Sequence, residues 1–578
     1  MTSTKIDYQK RKNKELFKQL ESNAFIGLSN AQNYIPVYNR YFDLNETNYN
    51  NINLNHRWCL SKIDASVNTT KCFKCVLSNV DGGDKTKNVF FKMAPLLDPY
   101  KYMSGKYEVS DKLLSVPTFA PCAEIHPKIM DYNNSSYVDG FFYYLSNRLL
   151  EQGFIHGMEY YGSFLGIKTN FTCNIIDDIE YLATSDFFNK NKGILFDTAD
   201  YSNLLYDENE SVKKRQNPLL IGDESVVLDI EELLEEMPGN SNNLTTDLEE
   251  VVISASSSKK AHSLKSDSSC SSRTSHTNSK DSIIDQDEDS SEWESVDDNE
   301  DNSASADDNS ANYEDISESS SQSFLEDDEE LTATIPRFPV QMIAIEYCNN
   351  TFDSLIRTNK LTNEEWFSAL MQIVMILLAY QKAYSMTHND LHTNNVMFIP
   401  TDKKYLYYQY NGTCYKVPTF GKIFKIIDFG RAIYKFNNAL FCSDSFQVGG
   451  DASTQYNTEP FMNDRKPRLD PNQSFDLCRL ACSIFDYLIR DMREVDEKCA
   501  KDELTNIIVE WCLDDNGINV LYKKSGAERY PDFKLYKMIA RNVHKHTPQA
   551  QLARKQFSKF ATTTVKKGEH VMNIDELN

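Results

Sequence analysis

The chain has 578 residues, of which 40% are hydrophobic and 25% are charged, which is enough for two or more folded lobes with apolar cores. The longest apolar run, Ile373 to Tyr380, falls far short of the ~20 residues that a membrane span needs. Residues 1–7 lack the apolar centre of a secretory signal. The composition therefore predicts a cytosolic or nuclear-side protein, with the cytoplasm as the expected location, and no contact with membranes.

The thirteen cysteines are scattered along the chain. Cys72 and Cys75 form one C-x-x-C pair, but no second pair and no His pair follows at zinc spacing. Residues three apart on a strand face opposite sides, which disfavours joint metal ligation. We interpret the cysteines as free thiols in a reducing compartment.

The sequence of the first part of the chain predicts an N-terminal extension over 1–57, followed by a small β-rich region. Cys72–Leu77 and Val89–Met93 are rich in β-forming residues, and Asp81–Asp84 between them is typical of a turn. This pattern predicts two antiparallel strands. Further on, apolar residues at helical spacing predict a helix over 137–150. Two more strands are predicted at 154–157 and 163–167.

A long acidic insertion interrupts this region between 207 and 334. Residues 221–330 contain 32 acids and 5 Lys or Arg, a net charge of −27, so the other residues of this −24 chain carry +3. The acidity thus belongs to one segment. The charge of the other residues does not exclude nucleic-acid binding, but no basic stripe is evident in the sequence, and no nucleic-acid partner is expected. So much like charge with so little apolar surface predicts disorder. Ser291 and Ser295 precede acidic runs and are candidate sites for an acidophilic kinase, with a merely solvated loop as the alternative.

Ordered structure is predicted to return at Val340–Cys348, a β-rich run. Thr362–Glu365 has the pattern of a capping box, which predicts the start of a long apolar helix that ends near Tyr384. Helical, mixed sequence follows over 470–560, and we assign 561–578 to a C-terminal tail.

Between these helical regions, the sequence predicts two short buried strands, at 395–399 and 423–427. The pair Asn411-Gly412 lies between alternating runs, which is a strong hairpin signal. We therefore predict an added hairpin over 405–417.

The most specific motif is H-N-D-L-H-T-N-N at 388–395, followed by D-F-G at 428–430. It supplies Asp390, a carboxylate free to meet a hydroxyl, and then Asn395 and Asp428, whose oxygens suit Mg²⁺. Phosphoryl transfer asks little more of side chains than a positioned acceptor and cations that spread the phosphate charge.

These residues, with Lys92 upstream, resemble the protein-kinase pattern H-R-D-L-x-x-x-N plus D-F-G. The general character of the sequence is similar to that of the divergent serine/threonine kinases encoded by giant DNA viruses. The resemblance implies an α+β, two-lobed fold, with a β-rich N-lobe over 58–348, interrupted by the acidic insertion, and a larger helical C-lobe over 349–560.

The resemblance also implies a nucleotide site for ATP with Mg²⁺ or Mn²⁺. Asp390 would be the catalytic base, and Asn395 and Asp428 would hold the metal. Lys92 would neutralise the ATP phosphates, and the family pairs this lysine with a helix Glu. Asp139, whose side chain is shorter, is the only acid between 136 and 150, so it is the candidate partner, with a surface Asp near a helix start as the alternative.

Two further expectations come from the resemblance. The 340–348 strand would run into the hinge between the lobes, where Glu346 and Cys348 would contact the nucleotide. Asp476 lies in a segment that resembles the buried helix whose Asp fastens the catalytic loop through backbone hydrogen bonds.

The sequence departs from the family pattern at several positions. No G-x-G-x-x-G precedes Lys92, and Gly82-Gly83 is typical of a strand turn. Asn389 replaces the arginine that commonly binds an activation-loop phosphate, which predicts activity independent of such phosphorylation. His392 stands where serine/threonine kinases usually have lysine. The pattern H-x-D-L-H-x-x-N, with histidine at this position, also resembles that of some small-molecule kinases.

We therefore expect a monomeric serine/threonine kinase that acts on protein substrates of unknown identity. Two alternatives stay open. One is a pseudokinase scaffold that holds basic partners through the acidic insertion. The other is a small-molecule phosphotransferase.

Overall fold

The computed structural model describes residues 5–54, 57–67, 71–110, 112–120, 122, 124–176, 178–201, 331–358, 360–531 and 533–577. These residues form a mixed α+β structure. The described residues up to 199 and from 331 onward belong to one compact unit, to which all the contacts below belong. Ser291, Ser295 and most of the predicted disordered insertion lie outside the described residues.

The described strands are, in chain order, β1 (Tyr8–Lys10), β2 (Leu28–Gln32), β3 (Ile52–Leu54), β4 (Trp58–Ser66), β5 (Cys72–Asn79), β6 (Asp84–Pro95), β7 (Tyr160–Asn174), β8 (Asp197–Thr198), β9 (Thr332–Glu346), β10 (Asn350–Thr351), β11 (Val396–Pro400), β12 (Tyr405–Tyr410), β13 (Thr413–Pro418), β14 (Lys422–Ile426), β15 (Ile433–Phe436), β16 (Ala439–Cys442), β17 (Ala561–Thr562) and β18 (Val571–Asn573).

The described α-helices are α1 (Lys14–Ser22), α2 (Pro99–Met103), α3 (Pro127–Met130), α4 (Ser135–Glu151), α5 (Ile179–Ala183), α6 (Asp186–Asn191), α7 (Phe352–Thr358), α8 (Asn363–Tyr384), α9 (Phe475–Leu488), α10 (Val495–Lys501), α11 (Glu503–Trp511), α12 (Lys534–Asn542), α13 (Pro548–Gln551) and α14 (Lys555–Ser558).

A seven-stranded antiparallel sheet, here called the main sheet, organises the first part of the chain. Its order is β2-β7-β9-β6-β5-β4, and β8 adds to β9. The predicted strand–turn–strand is confirmed as β5 and β6. On β6, Val89 and Phe91 alternate with more exposed neighbours and are 0% exposed, so one face of the strand supplies the apolar core. The predicted helix is confirmed as α4, and its N-cap is the side chain of Asn134.

The prediction of a strand at 154–157 is wrong. The N–H of Gly157 donates to the carbonyl of Phe154, which closes a turn. His156 is fully buried, and its ring nitrogens lie 2.7 Å from the carbonyl of Phe424 and 2.7 Å from the hydroxyl of Tyr408. These distant partners hold the segment as a turn, and the strand starts at Tyr160.

The residues predicted as an extension and a tail are built into sheets. Helix α1 buries Leu16 and Leu20, and β2 pairs with β7 at the edge of the main sheet. At the other end of the chain, β17 and β18 flank the hairpin β12–β13. Pairing covers edges that would otherwise expose unbonded backbone groups.

The insertion interrupts the main sheet, as predicted, because β8 and β9 pair with each other on either side of it. Its predicted end at 334 is three residues too far along, since β9 already begins at Thr332. There β9 pairs with β7 in register, with Asn174 opposite Thr332, and this pairing orders the backbone.

Helix α8 forms the core of the second part of the chain. The capping box is confirmed, because Thr362 and Glu365 exchange side-chain and backbone hydrogen bonds. Among the described residues, α8 is the one helix long and apolar enough to cross a membrane, but 89% of its most apolar window is buried inside the protein. A helix that is apolar on all sides is typical of a buried core.

The predicted strands and hairpin around this helix are confirmed. Strands β11 and β14 pair antiparallel in a three-stranded sheet with β10, and β12 and β13 form the hairpin. At its tip, Asn411 and Gly412 have φ of 48° and 72°, the left-handed region that two-residue hairpin turns require.

Candidate active site

Lys92 lies between two carboxylates that come from distant parts of the chain. Its Nζ is 2.7 Å from Asp139 Oδ2 and 2.9 Å from Asp428 Oδ1. Asp139 lies on α4, one turn after its start, and its other oxygen accepts a 2.7 Å hydrogen bond from the N–H of Phe429. The predicted Lys92–Asp139 pair is confirmed, and Asp139 also fixes the backbone of the D-F-G motif.

The two carboxylates have different electrostatic environments. Burial, together with the nearby charge of Asp428, raises the pKa of Asp139 to about 6, although Lys92 opposes the shift. Burial would also raise the pKa of Asp428, but the Lys92 ammonium outweighs it and lowers that pKa. Burial disfavours the charged form of Lys92, yet the two carboxylates outweigh it and raise the lysine pKa. At neutral pH the cluster therefore holds one cation between two anions.

The shift at Asp139 predicts a pH-dependent stability difference. The folded state raises the pKa of Asp139 above its ordinary value of 3.8, so the folded state binds more protons, and this contribution to stability is lost as pH rises through about 6. Relative to Asp139→Asn, the wild-type protein should lose about 2 kcal/mol of unfolding free energy between about pH 4 and pH 7. Urea unfolding of both proteins at each pH measures this difference, and one that stays constant or grows with pH contradicts the expectation.

The H-N-D loop, residues 388–395, is joined directly to the strand that leads into Asp428. The N–H of Ile427 donates to the carbonyl of Asn395 at 3.0 Å, and His388 Nε2 lies 2.9 Å from the carbonyl of Ile427. The start of β11 pairs with the end of β14, since Val396 is opposite Ile426. Asn395, just before β11, and Asp428, just after β14, are therefore brought together.

Within the loop, the amide nitrogen of Asn395 donates to the carbonyl of Asp390 at 2.9 Å and lies 3.0 Å from His392 Nε2. Burial lowers the pKa of His392 to about 4, so the ring is neutral and its Nε2 can accept this bond. With its nitrogen committed, the Asn395 side chain has its oxygen left for another group. The Asp428 side chain is 49% exposed. An amide oxygen and an exposed carboxylate fit the oxygen ligands that Mg²⁺ prefers.

Asp390 is held by residues that the sequence reading missed. The hydroxyl of Tyr536 donates to Asp390 Oδ1 at 2.7 Å, and Arg431 Nη1 lies 3.7 Å from Oδ2. Burial would raise the pKa of Asp390, but the charges of Arg431, His392 and Arg479 and the Tyr536 hydrogen bond lower it to about 2. Asp390 is therefore ionised at neutral pH.

Asp476 holds the backbone of the H-N-D loop in place, as predicted. This carboxylate is 0% exposed, and its oxygens accept 2.9 Å hydrogen bonds from the N–H groups of His388 and Asn389. Asn389, with φ of 65°, accepts from the hydroxyl of Tyr456 at 2.7 Å and donates to the carbonyl of Arg431 at 2.9 Å. Its side chain therefore links the loop to the segment that follows D-F-G.

A cavity of about 700 Å³ opens beside Lys92, and its lining includes four of the predicted site residues: Lys92, Glu346, Cys348 and Asp428. Asp390 and Asn395 do not line it. The carboxylate of Glu346 pairs with buried Lys425, so this side chain is committed to the protein. Burial raises the pKa of Cys348 to about 12, which keeps the thiol neutral.

The register of the main sheet shows which turn lies next to this cavity. Gly82 and Gly83 form the β5–β6 turn, whereas Lys92 is opposite the other end of β5, because Cys72 pairs with Phe90 and Ser78 with Asp84. The β4–β5 turn lies on the Lys92 side, and its Lys71 lines the cavity. Residues 68–70 of that turn lie outside the described residues.

The C-x-x-C pair lies on β5, and both cysteines are buried. Burial raises the pKa of Cys75 to about 12. In the described part of the chain, no group of three or more His, Cys, Asp and Glu side chains is arranged to hold a metal ion. The donor set beside Lys92 differs from such a group, since it consists of one carboxylate and one amide.

No family model matches this chain, and no curated protein matches it. The geometry of the site therefore carries the functional argument.

Three residues of the site were missed from the sequence. Tyr143 accepts the N–H of Asp428 at 3.0 Å, and its position one helical turn after Asp139 was a usable signal. Arg431 directly follows D-F-G, but nothing local indicates its contact with Asp390. Tyr536 is 146 residues from Asp390 and has no sequence signal.

Proposed function

We propose that this protein is an ATP-dependent protein kinase that transfers the γ-phosphate to serine or threonine hydroxyls. The observation that carries the proposal is the ion cluster at the cavity. Lys92, from the main sheet, lies 2.9 Å from Asp428, and Asp428 adjoins the loop that holds Asp390 and Asn395. A cation and a carboxylate at a cavity, with further oxygen donors on the adjoining loop, are the kinds of group that phosphoryl transfer requires of a protein. The proposal includes a two-lobed kinase-like arrangement, with the main sheet and α4 as the N-lobe.

In the proposed mechanism, ATP occupies the cavity with its phosphates near Lys92. The ammonium group of Lys92 offsets phosphate charge, and Asp139 keeps it in place from the opposite side. Glu346 and Cys348 line the cavity, and their backbone would contact the base. The Glu346 side chain is not assigned to the nucleotide, because Lys425 holds it.

Asp390 would orient the acceptor hydroxyl. The hydroxyl oxygen forms a bond to the γ-phosphorus, the bond from that phosphorus to the bridging oxygen breaks, and ADP leaves. The hydroxyl proton passes to Asp390. Because the pKa of Asp390 is lowered to about 2, this carboxylate is a weak base, and its main contribution is to position the hydroxyl.

Asn395 and Asp428 would hold Mg²⁺ or Mn²⁺, which supplies charge neutralisation on the phosphates when bound. The fit rests on two groups. One is the amide oxygen of Asn395, since the hydrogen bonds within the loop use its amide nitrogen, and the other is the exposed carboxylate of Asp428. Together they leave positions for water and phosphate, as Mg²⁺ sites in proteins commonly do.

Purified protein incubated with γ-labelled ATP and a panel of proteins tests the proposal. We expect label in phosphoserine or phosphothreonine, and loss of labelling in Asp390→Asn. Asp402→Asn, an exposed residue between β11 and β12, is the matched control and should keep full labelling. Label in a low-mass product instead would assign a small-molecule acceptor, and nucleotide binding without turnover would assign a scaffold. Either result overturns the proposal.

A further inference from the structure

Helix α12 carries a stripe of three cations on one face. Lys534, Lys537 and Arg541 lie at positions i, i+3 and i+7, which align along one side of a helix. Lys534 and Arg541 are exposed and Lys537 is half-buried. Within the described part of the chain, Lys534 and Arg541 have no carboxylate partner in an ion pair. We call these three residues the basic stripe.

The basic stripe is tied to the candidate active site by the other face of the same helix. Tyr536 donates to Asp390 at 2.7 Å, and the ring of Phe533 stacks on that of Tyr536 at 5.0 Å. Since a helix with its side chains is about 10 Å across, the stripe lies roughly one helix diameter from Asp390. A peptide whose hydroxyl reaches Asp390 has residues within reach of the stripe.

A second basic segment lies beside the first. Arg465, Lys466 and Arg468 are exposed in a loop that the side chain of Asn457 organises, since its nitrogen donates to the carbonyls of three loop residues, Asn463, Lys466 and Pro467. The preceding residue is Tyr456, which contacts Asn389, the neighbour of Asp390.

The stretch that follows the 465–468 segment contacts α12, because Asn472 Nδ2 donates to the carbonyl of Ala540, next to Arg541, at 3.3 Å. Residues 523–545 contain seven Lys or Arg and two acids, Glu528 and Asp532, a net charge of +5. In the loop, Arg468 is paired with Asp470 at 2.7 Å, and Asp464 precedes Arg465 and Lys466. Each basic segment is therefore connected to the H-N-D loop, α12 through Tyr536 and the 465–468 segment through the neighbouring Tyr456.

We propose that the acceptor is a serine or threonine within an acidic protein segment, bound through the basic stripe and the 465–468 segment. This inference rests on the proposed kinase function and names its substrate class. The chain contains a segment of matching chemistry: residues 281–330 have 21 acids and no Lys or Arg. Ser291 and Ser295 within it are followed by acidic residues, so this sequence provides a natural probe.

The probe is a synthetic peptide of residues 287–302, and its control is the same peptide with every Asp and Glu replaced by Asn and Gln. The full-length protein should phosphorylate the acidic peptide with a kcat/KM about tenfold higher than the amide peptide, and the preference should shrink as salt rises. Lys534→Ala/Arg541→Ala should lower kcat/KM for the acidic peptide about tenfold with the KM for ATP unchanged.

Lys403→Ala/Lys404→Ala, which removes two exposed lysines between β11 and β12, is the charge-matched control and should keep the preference. Equal or better use of the amide peptide, or of basic proteins, overturns the inference and leaves the kinase proposal standing. A single-stranded oligonucleotide that displaces the acidic peptide at lower concentration than a polyglutamate would assign the stripe to nucleic acid, which also overturns it. Absence of any labelled peptide or protein contradicts the proposed function itself.

Discussion

Asp428→Asn should lower the rate of phosphate transfer about 1,000-fold while leaving the fold intact. The substitution keeps the size of the side chain and removes its charge. Asparagine suits this position because residue 428 has φ of 65°, and asparagine tolerates the left-handed region better than most residues. Lys92 keeps Asp139 at 2.7 Å, so the buried ion pair survives.

The loss has a specific physical origin. Asp428 is the carboxylate that faces both Lys92 and the cavity, and its lowered pKa keeps it charged. Without that charge, Lys92 is held by Asp139 alone, and the oxygen assigned to the metal is a weaker ligand. The positive charges that Asp428 would position are those of Lys92 and the bound cation. Fixed positive charges at a reacting phosphate are usually the largest contributors to catalysis of this kind.

Initial rates of γ-phosphate transfer, measured with ATP and Mg²⁺ at saturating levels, give the size of the effect. Asp402→Asn serves as the control for a surface carboxylate, and a thermal melt of each variant checks folding. Transfer by Asp428→Asn at the wild-type rate contradicts the assignment of this residue and the kinase mechanism with it.

Asp476→Ala should destabilise the protein by about 4 kcal/mol, because it leaves two buried N–H groups without acceptors and each costs about 1–3 kcal/mol. The carboxylate is 0% exposed, and both of its oxygens accept 2.9 Å hydrogen bonds from the H-N-D loop. Since these N–H groups belong to His388 and Asn389, the loop loses its support directly beneath Asp390.

Urea unfolding measures this loss, and Asp502→Ala provides a matched comparison. Asp502 caps α11 by accepting from the N–H groups of Leu504 and Thr505 near the surface, so its removal should cost about 1 kcal/mol. If Asp476→Ala costs no more than Asp502→Ala, the buried acceptor does not support the loop in the way described.

Local patterns predicted the elements whose structure is decided locally. The capping box at Thr362 needs only residues three apart, and the hairpin turn needs Asn411 and Gly412 at one tip. In both positions the interacting residues are neighbours in sequence, so a local pattern is enough to predict them. Asp139 was found in another way, because it is the only acid between 136 and 150 and the family resemblance implies a helix partner for Lys92.

Contacts between distant segments were not predictable in this way. The 154–157 segment has the composition of a strand, but the burial of His156 against Phe424 and Tyr408 makes it a turn. The edge strand β2 likewise gains its structure from pairing with β7, with Leu28 opposite Lys168. No residue near Leu28 in sequence specifies that partner.

The sequence by itself determined the order and chemical type of the groups in the candidate site: an ammonium at 92, a carboxylate at 390, an amide at 395 and a carboxylate at 428. It also determined that the negative charge is concentrated in one inserted segment. Only the tertiary structure decided that Lys92 also contacts Asp428 and that Tyr536 and Arg431 hold Asp390. The reason is physical, because residue types and spacing set local conformation and charge, whereas contacts across hundreds of residues depend on how the whole chain packs.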